Sequence, residues 1–460
     1  MMPLKIARWT AAIMLTAACA ASPAANIATS ETAPAAAKPP NIIIIMADDL
    51  GWGDISLNGA ALIETPNIDR IGQEGIQLTD FYAGSNVCSP SRAALLTGRY
   101  PIRSGMQHVI FPHSQDGLPA EEITISEMLK NAGYRTGMVG KWHLGHQEEY
   151  WPTNQGFDWF YGVPYSNDMA PFDLYRGKEI IESPADQSQL SLNYAKAAKE
   201  FIEDSSDKPF FLYYAETFPH IPLFVPEDRS GTSDAGLYGD VVETVDAGIG
   251  IVLDTLDEAG VADDTLIIFT SDNGPWFEGS AGEFRGRKGE THEGGFRVPF
   301  LARWPGHIPK GSVSHEMAMN IDLLPTAASL SGATLPADRV IDGKDLTSLL
   351  TAGAPTPHDI LFFFDGNEIV GARDARFRLV LNTFYRTMSV PFEYFGTALL
   401  FDLEKDPQES FSFMREYPGE AERLKSAVAA MRAAVAEKTK EATSHVPPND
   451  GTPTGPQLTR

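Results

Sequence analysis

Four polar clusters in this 460-residue chain each follow an apolar run, and their residue types are those of acid–base, metal and anion chemistry. Asp48 and Asp49 follow the run from Asn41 to Met46, and Lys141 and His143 follow Tyr134 to Val139. His220 follows Pro209 to Ala215, and Asp272 and Asn273 follow Thr265 to Thr270. In open α/β sheets ligands bind outside the carboxyl ends of the strands, so these ends point to one shared site. Asp48, Asp49, Asp272 and Asn273 are hard oxygen donors, which suit Ca²⁺ or Mg²⁺ better than zinc. Each feature also has a local alternative: turn chemistry for the Asp and Asn pairs, solvated lysines, and packed histidines.

The segment Cys88-Ser89-Pro90-Ser91-Arg92 is chemically the sharpest. Pro90 presets the first turn of a helix predicted to begin near Ser89 or Pro90. Cys88 then lies at the helix N-terminus, where backbone N–H groups and the helix dipole favour an anion. Arg92, one turn on, can reach oxygens of a bound oxyanion. These residues alone suggest a low-pKa thiolate nucleophile; a buried apolar cysteine is the alternative.

The elements that must hold these groups alternate. Helices are predicted over Pro66 to Glu74 (with Thr65 as N-cap), 123–131, 191–204 and 236–259, between the apolar strands. That pattern implies an α/β fold, a large mainly parallel (mixed) sheet sandwiched by helices. After residue 355 the texture changes to short strands (360–364, 377–381, 398–401) and a helix over 418–437. This predicts a smaller C-terminal antiparallel-sheet subdomain with a packed helix. The division is 1–21 signal peptide, 22–40 linker, 41–354 catalytic domain, 355–443 C-terminal subdomain and 444–460 loose tail.

The leader reading rests on Lys5 and Arg8 ahead of an apolar run, Trp9 to Ala18, that is too short for a span of ~20 residues. It implies export to the periplasm or the extracellular space, and no transmembrane span. Leu15-Thr16-Ala17-Ala18-Cys19 loosely matches a lipoprotein box, so a lipid anchor at Cys19 is the alternative to plain secretion. With 36 Lys+Arg against 61 Asp+Glu, the net charge of −25 excludes nucleic acid as a partner. An anionic substrate would need local positive groups to overcome that field.

Cys88-x-Pro90-x-Arg92, continued as Ala93-Ala94-Leu95-Leu96-Thr97-Gly98-Arg99, resembles the signature of the type I, formylglycine-dependent sulfatases of the alkaline phosphatase superfamily. Four further segments match in order: Met46-Ala47-Asp48-Asp49-Leu50-Gly51, Gly137 to Gly145, Phe269 to Gly274, and Arg287 to Gly295. The resemblance runs from Asp48 to Leu403-Glu404-Lys405-Asp406-Pro407. Gly162-Val163-Pro164-Tyr165-Ser166-Asn167-Asp168 is most similar to the branch of arylsulfatase A and N-acetylgalactosamine-6-sulfatase.

That resemblance implies a sulfuric ester hydrolase in which Cys88 is oxidised to formylglycine (3-oxoalanine) by a formylglycine-generating enzyme. It implies a Ca²⁺ ion, with Mg²⁺ as the alternative, held by Asp48, Asp49, Asp272, Asn273 and the modified Cys88. It assigns Arg92 to orienting the modified residue and Lys141 and Lys288 to the sulfate oxygens. His143 becomes the base for the second hydroxyl, His220 the proton donor to the leaving alcohol, and Ser166 a substrate-side hydrogen-bond partner. His292, within the Lys288 segment, could line the pocket. The substrate is a small-molecule or glycan sulfate ester. The same superfamily includes phosphodiester and phosphonate monoester hydrolases, the nearest enzymatic alternative. A glycan-binding protein retaining the fold is the non-enzymatic one. Specificity is expected from loops 105–120, 163–176 and 276–292 and the region after 355, with Trp142, Trp151, Trp276 and Tyr385 as aromatic candidates.

Overall fold

The computed structural model describes residues 38–205, 208–385 and 388–443; the leader, Cys19, all but the end of the linker and the tail 444–460 lie outside the described residues. The first strand, Asn41–Ala47 (β1), is buried along its whole length. Ile42, Ile44 and Met46 enter one apolar core, while Ile43, Ile45 and Ala47 enter a second. Successive side chains of a strand point to opposite faces, so an uninterrupted apolar strand needs cover on both.

The other strands that carry site residues are Arg135–Lys141 (β2), Phe210–Ala215 (β3) and Thr265–Ser271 (β4). β1 lies between β4 and β3, and β3 pairs with β2; all these pairs are parallel. The register sets Ala47 beside Ser271, Met46 beside Ala215, and Gly140 beside Ala215. The residues after β1 and β4 and the end of β2 therefore emerge along one edge. Helices Leu190–Glu203 (α2) and Gly236–Glu258 (α3) cover the face of Ile43, contributing Tyr194, Phe201, Val245 and Ile249. The opposite face holds Leu95 and Leu96 of Cys88–Thr97 (α1), the helix of the cysteine.

The ten-stranded sheet is mixed, as expected, but several of its strands were not legible beforehand. Phe300–Arg303 pairs antiparallel with β4, and Leu174–Arg176 and Glu179–Glu182 extend the far edge. These runs of three or four residues are too short to show a period. Thr65 does precede the helix Pro66–Gln73, but its hydroxyl donates to the Asp69 carboxylate and accepts from the Ser56 N–H outside the helix, capping no N–H of the helix itself. The helix of Cys88 starts at the cysteine itself, and β2 runs two residues beyond the prediction to include Lys141.

In the C-terminal part, Leu361–Asp365 (β5), Glu368–Arg373 (β6), Phe377–Val380 (β7) and Leu399–Asp402 (β8) form an antiparallel sheet. Helix Pro418–Thr443 (α4) packs on it through Ala421, Leu424 and Val428. Their core also takes in Tyr82, Ala94 and Tyr100, so α1 touches apolar clusters on two sides. Among the described residues no helix is long and apolar enough to cross a membrane.

One glycine is required where β2 meets the site. Gly140 has φ +97°, and a Cβ there would lie 1.8 Å from the Ala215 carbonyl oxygen. Gly133 also has positive φ, +92°, but its Cβ would meet nothing within 4 Å. Gly140→Ala is therefore expected to lose about 1–3 kcal/mol more unfolding free energy than Gly133→Ala. Urea titration of both variants checks this, and equal losses would contradict the close approach.

Candidate active site

Three carboxylates meet at the edge formed by β1 and β4. Asp48 and Asp272 are fully buried and Asp49 nearly so. Asp49 sits at φ +64°, a conformation uncommon outside glycine, Asn and Asp, and its N–H donates to Asp272 Oδ1 at 3.1 Å. Asn273 Nδ2 donates to Asp49 Oδ1 at 2.7 Å. Asp48 Oδ1 and Asn273 Oδ1 are buried with no hydrogen-bond donor among the described residues.

Three cations face these acids. Arg92 donates from Nε (3.0 Å) and Nη2 (2.8 Å) to Asp272 Oδ2, and from Nη1 to the Lys141 carbonyl at 3.0 Å. Lys141 Nζ pairs with Asp48 and lies 3.2 Å from Ser166 Oγ. Lys288 Nζ is 2.7 Å from Asp49 Oδ1. Burial and the Asp48 charge raise Asp272 to about 7, against the pull of Arg92. Asp48 is also fully buried, but Lys141, His220 and Arg92 overcome that cost and hold it well below the usual carboxylate range.

Cys88 Sγ completes two clusters. Ligand atoms of Asp48, Cys88 and Asp272 lie within 4.8 Å of one another, as do those of Asp49, Cys88 and His220. Burial pushes the thiol up to about 12, outweighing Lys141 and Lys288. The low-pKa thiolate that the residues alone suggested is thus not what this pocket makes. Desolvation wins over the helix N-terminus and the nearby ammonium groups.

The histidines differ in what their rings face. His143 Nε2 is 2.8 Å from the Ile110 carbonyl oxygen, so that nitrogen carries the proton and Nδ1 keeps its lone pair. Burial, reinforced by Lys141 and Arg92, lowers its pKa well below the ordinary histidine value. His220 Nδ1 faces the Ile221 carbonyl at 2.6 Å and Asn167 Oδ1 at 3.0 Å, which places the proton there. Its Nε2 is 3.8 Å from Asp49 Oδ2. Burial lowers its pKa too, and Asp48 opposes that. Ser166 Oγ is 3.3 Å from the same ring.

The structure thus brings Asp48, Asp49, Cys88, Arg92, Lys141, Ser166, His220, Asp272, Asn273 and Lys288 into one connected cluster, with His143 behind Lys141 on the same strand exit. His292 is turned away: its Nε2 lies 3.2 Å from Thr383 Oγ1 and its Nδ1 3.2 Å from Glu409 Oε2. Trp142 and Trp151 are core residues, whereas Trp276 is half-buried with its ring centroid 5.9 Å from Lys288 Nζ. The Tyr385 side chain lies outside the described residues.

Comparison with known proteins agrees with this geometry. A family model described as Sulfatase matches residues 40–333. The chain belongs to the sulfatase family. A second model, described as N-sulphoglucosamine sulphohydrolase, C-terminal, matches residues 282–437 of this sulfatase. The sequence is 38% identical over 429 residues to Homo sapiens arylsulfatase A, covering 83% of this chain and 84% of that one. It is 40% identical over 369 residues to Homo sapiens N-acetylgalactosamine-6-sulfatase, covering 73% and 70%. Among solved structures, the PsFucS1 sulfatase from Pseudoalteromonas sp. superposes with a TM-score of 0.80 at 28% identity, covering 87% of this chain and 91% of that one. The enzyme is a sulfatase of the arylsulfatase A and N-acetylgalactosamine-6-sulfatase branch, and it hydrolyses sulfate esters.

Sequence reasoning passed over Asn167, although it stood in a quoted segment beside Ser166. Its Oδ1 accepts from His220 Nδ1, and its Nδ2 donates to the Pro222 carbonyl at 2.8 Å. Glu216, one residue past β3, is a buried acid at the same edge that bonds its own loop and Ser191 of α2 instead. Its Oε1 accepts from Thr217 N–H at 2.8 Å and from Ser191 Oγ at 3.2 Å. Burial raises its pKa to about 7, despite those donors. Between the unfolded value of about 4.5 and about 7, the folded state holds a proton that the unfolded chain releases. Stability from this group therefore falls as pH rises through that window. Glu216→Gln is expected to flatten the fall between pH 5 and pH 8, read from urea midpoints; an unchanged slope would contradict it.

Proposed function

We propose that this sulfatase cleaves its ester through Cys88 converted to formylglycine, with a Ca²⁺ ion in the carboxylate cluster. The observation that carries the reading is the set of ligand atoms from Cys88, Asp48 and Asp272 within 4.8 Å of one another, alongside Lys141, Lys288 and Arg92. The donor set fits a hard cation: Asp48, Asp49, Asp272 and Asn273 offer only oxygen, and Asp48 Oδ1 and Asn273 Oδ1 are buried without donors. Those four residues and the modified Cys88 would hold Ca²⁺, with Mg²⁺ as the alternative. When bound, the cation supplies Lewis-acid polarisation of a sulfate oxygen. The hydrated aldehyde would supply a gem-diol, offering an oxygen nucleophile for sulfur and a second hydroxyl for sulfate release.

The remaining work falls to the chain's own residues. Lys141 and Lys288 bind the sulfate oxygens, where fixed ammonium groups stabilise the charge of the transition state. Arg92 holds Asp272 and the Lys141 carbonyl, and so orients the residue at the head of α1. His220, its Nδ1–H anchored by Ile221 and Asn167, presents Nε2 to the leaving alcohol oxygen and gives it a proton from the doubly protonated ring. Burial works against that protonated ring, and Asp48 and Asp49, whose Oδ2 is 3.8 Å from Nε2, favour it. His143, neutral and with Nδ1 free, takes the proton of the second hydroxyl. Ser166 supports the substrate side through Lys141 and His220.

The substrate is a small-molecule or glycan sulfate ester, maturation involves a formylglycine-generating enzyme, and residues 1–21 direct export. Residues 41–354 form the catalytic domain and 355–443 the C-terminal subdomain.

The test is release of inorganic sulfate from a chromogenic aryl sulfate by protein co-expressed with a formylglycine-generating enzyme. Cys88→Ala is expected to lower turnover roughly 10³-fold or more. Retained turnover in Cys88→Ala would refute the nucleophile, and faster turnover of phosphodiesters would refute sulfate esters as the natural class.

A further inference from the structure

Lys288 lies in a segment, 285–292, that has no regular structure before the short turn Glu293–Phe296. Its site end is tied by backbone bonds: Lys288 N–H donates to the Pro275 carbonyl and Gly289 N–H to the Asn86 carbonyl, each at 2.9 Å. Its other end is held by the C-terminal subdomain. Arg378, on β7, donates from Nη2 to the Thr291 carbonyl at 2.7 Å and from Nη1 to Glu293 Oε1 at 2.6 Å. Glu409 accepts the Glu293 N–H on Oε2 at 2.7 Å, and its Oε1 lies 3.2 Å from Arg378 Nε. The Glu409 carbonyl accepts from Arg285 Nη1 at 3.1 Å, and Thr291 Oγ1 donates to the Asn382 carbonyl at 2.6 Å.

Arg378 and Glu409 are completely buried. Glu409 also holds φ +54°, a region that costs a non-glycine residue about 1 kcal/mol or more and persists only where its surroundings demand it. A buried ion pair is weak evidence for stability, because desolvation offsets the attraction, but it fixes geometry closely. Among the described residues, every side-chain hydrogen bond and ion pair of the two outside the pair itself goes to the segment that carries Lys288 or to its continuation at Glu293. Glu293 is in turn gripped by Arg297 Nη1 (3.0 Å) and the Tyr82 hydroxyl (2.7 Å).

We propose that Glu409 and Arg378 are positioning residues for Lys288: through Thr291 and Glu293 the C-terminal subdomain sets where the ammonium group stands. A subdomain that supplies no member of the proposed catalytic set thereby becomes a requirement for activity. The inference rests on Lys288 being a sulfate-binding group, so its test includes Lys288 itself.

The experiment is steady-state kinetics on the aryl sulfate, with inhibition by inorganic sulfate, for Glu409→Gln, Lys288→Ala and the double variant of the formylglycine-bearing enzyme. Glu409→Gln preserves shape and is expected to lower kcat/KM roughly 10- to 100-fold. It should weaken sulfate inhibition by a similar factor, a change that general destabilisation would not produce. In the Lys288→Ala background the same substitution should cost less than about threefold further. Losses that multiply would overturn the positioning role alone. A Lys288→Ala enzyme indistinguishable from the parent would overturn the sulfate-binding reading of Lys288 and the inference with it. Thr291→Val removes only the bond to Asn382, and the same non-additivity is expected of it should Glu409→Gln fail to fold.

Discussion

Three carboxylates buried together at the ends of two adjacent parallel strands must be neutralised, and the site is built around that need. Asp48, Asp49 and Asp272 repel one another where water cannot screen them. Arg92, Lys141 and Lys288 balance them charge for charge, each paired with a different one of the three. A divalent ion added to this balanced set would make the pocket locally positive. That is how a chain of net charge −25 can receive a sulfate monoester.

Each neutralising group arrives from a different part of the fold, which is why so much of the molecule serves one small volume. The parallel register of β1 and β4 places the acids side by side. The close passage of Gly140 against β3 allows β2 to deliver Lys141 to the same edge. Helix α1 is buried on all sides, so Arg92 reaches Asp272 with little freedom to move. Lys288 comes from irregular chain, held by its backbone bonds to the loops after β4 and before α1, by its ion pair with Asp49, and through Thr291 and Glu293 by the C-terminal subdomain. The most rigid elements thus carry Cys88 and the acids, whereas the cation with least local support is fixed from a distance.

Much of this was legible in the sequence because the chemistry sits where secondary structure ends. Asp48 and Asp272 stand just past apolar runs and His220 shortly past another, and Pro90 marks the start of the helix of Cys88. What was not legible depends on contacts between distant segments. Glu409 lies in a polar stretch with no period, and its burial follows only from the folding of β7 against the 291–293 chain. Asn167 was hidden for the same reason: its partner, His220, is 53 residues away in sequence. The thiol of Cys88 was misread in isolation because spacing reveals a helix N-terminus but not the depth of burial that opposes ionisation. The antiparallel edge strands escaped because three or four residues cannot display alternation.

On the proposed function, the carboxylate cluster is a cation site as well as an electrostatic frame. Calorimetric titration of Ca²⁺ into the metal-stripped, formylglycine-bearing enzyme, beside its Asp48→Asn variant, tests it most directly. Single-site binding is expected, weakened at least roughly tenfold by the substitution. Absence of binding by the folded parent, or equal affinity in the variant, would contradict it.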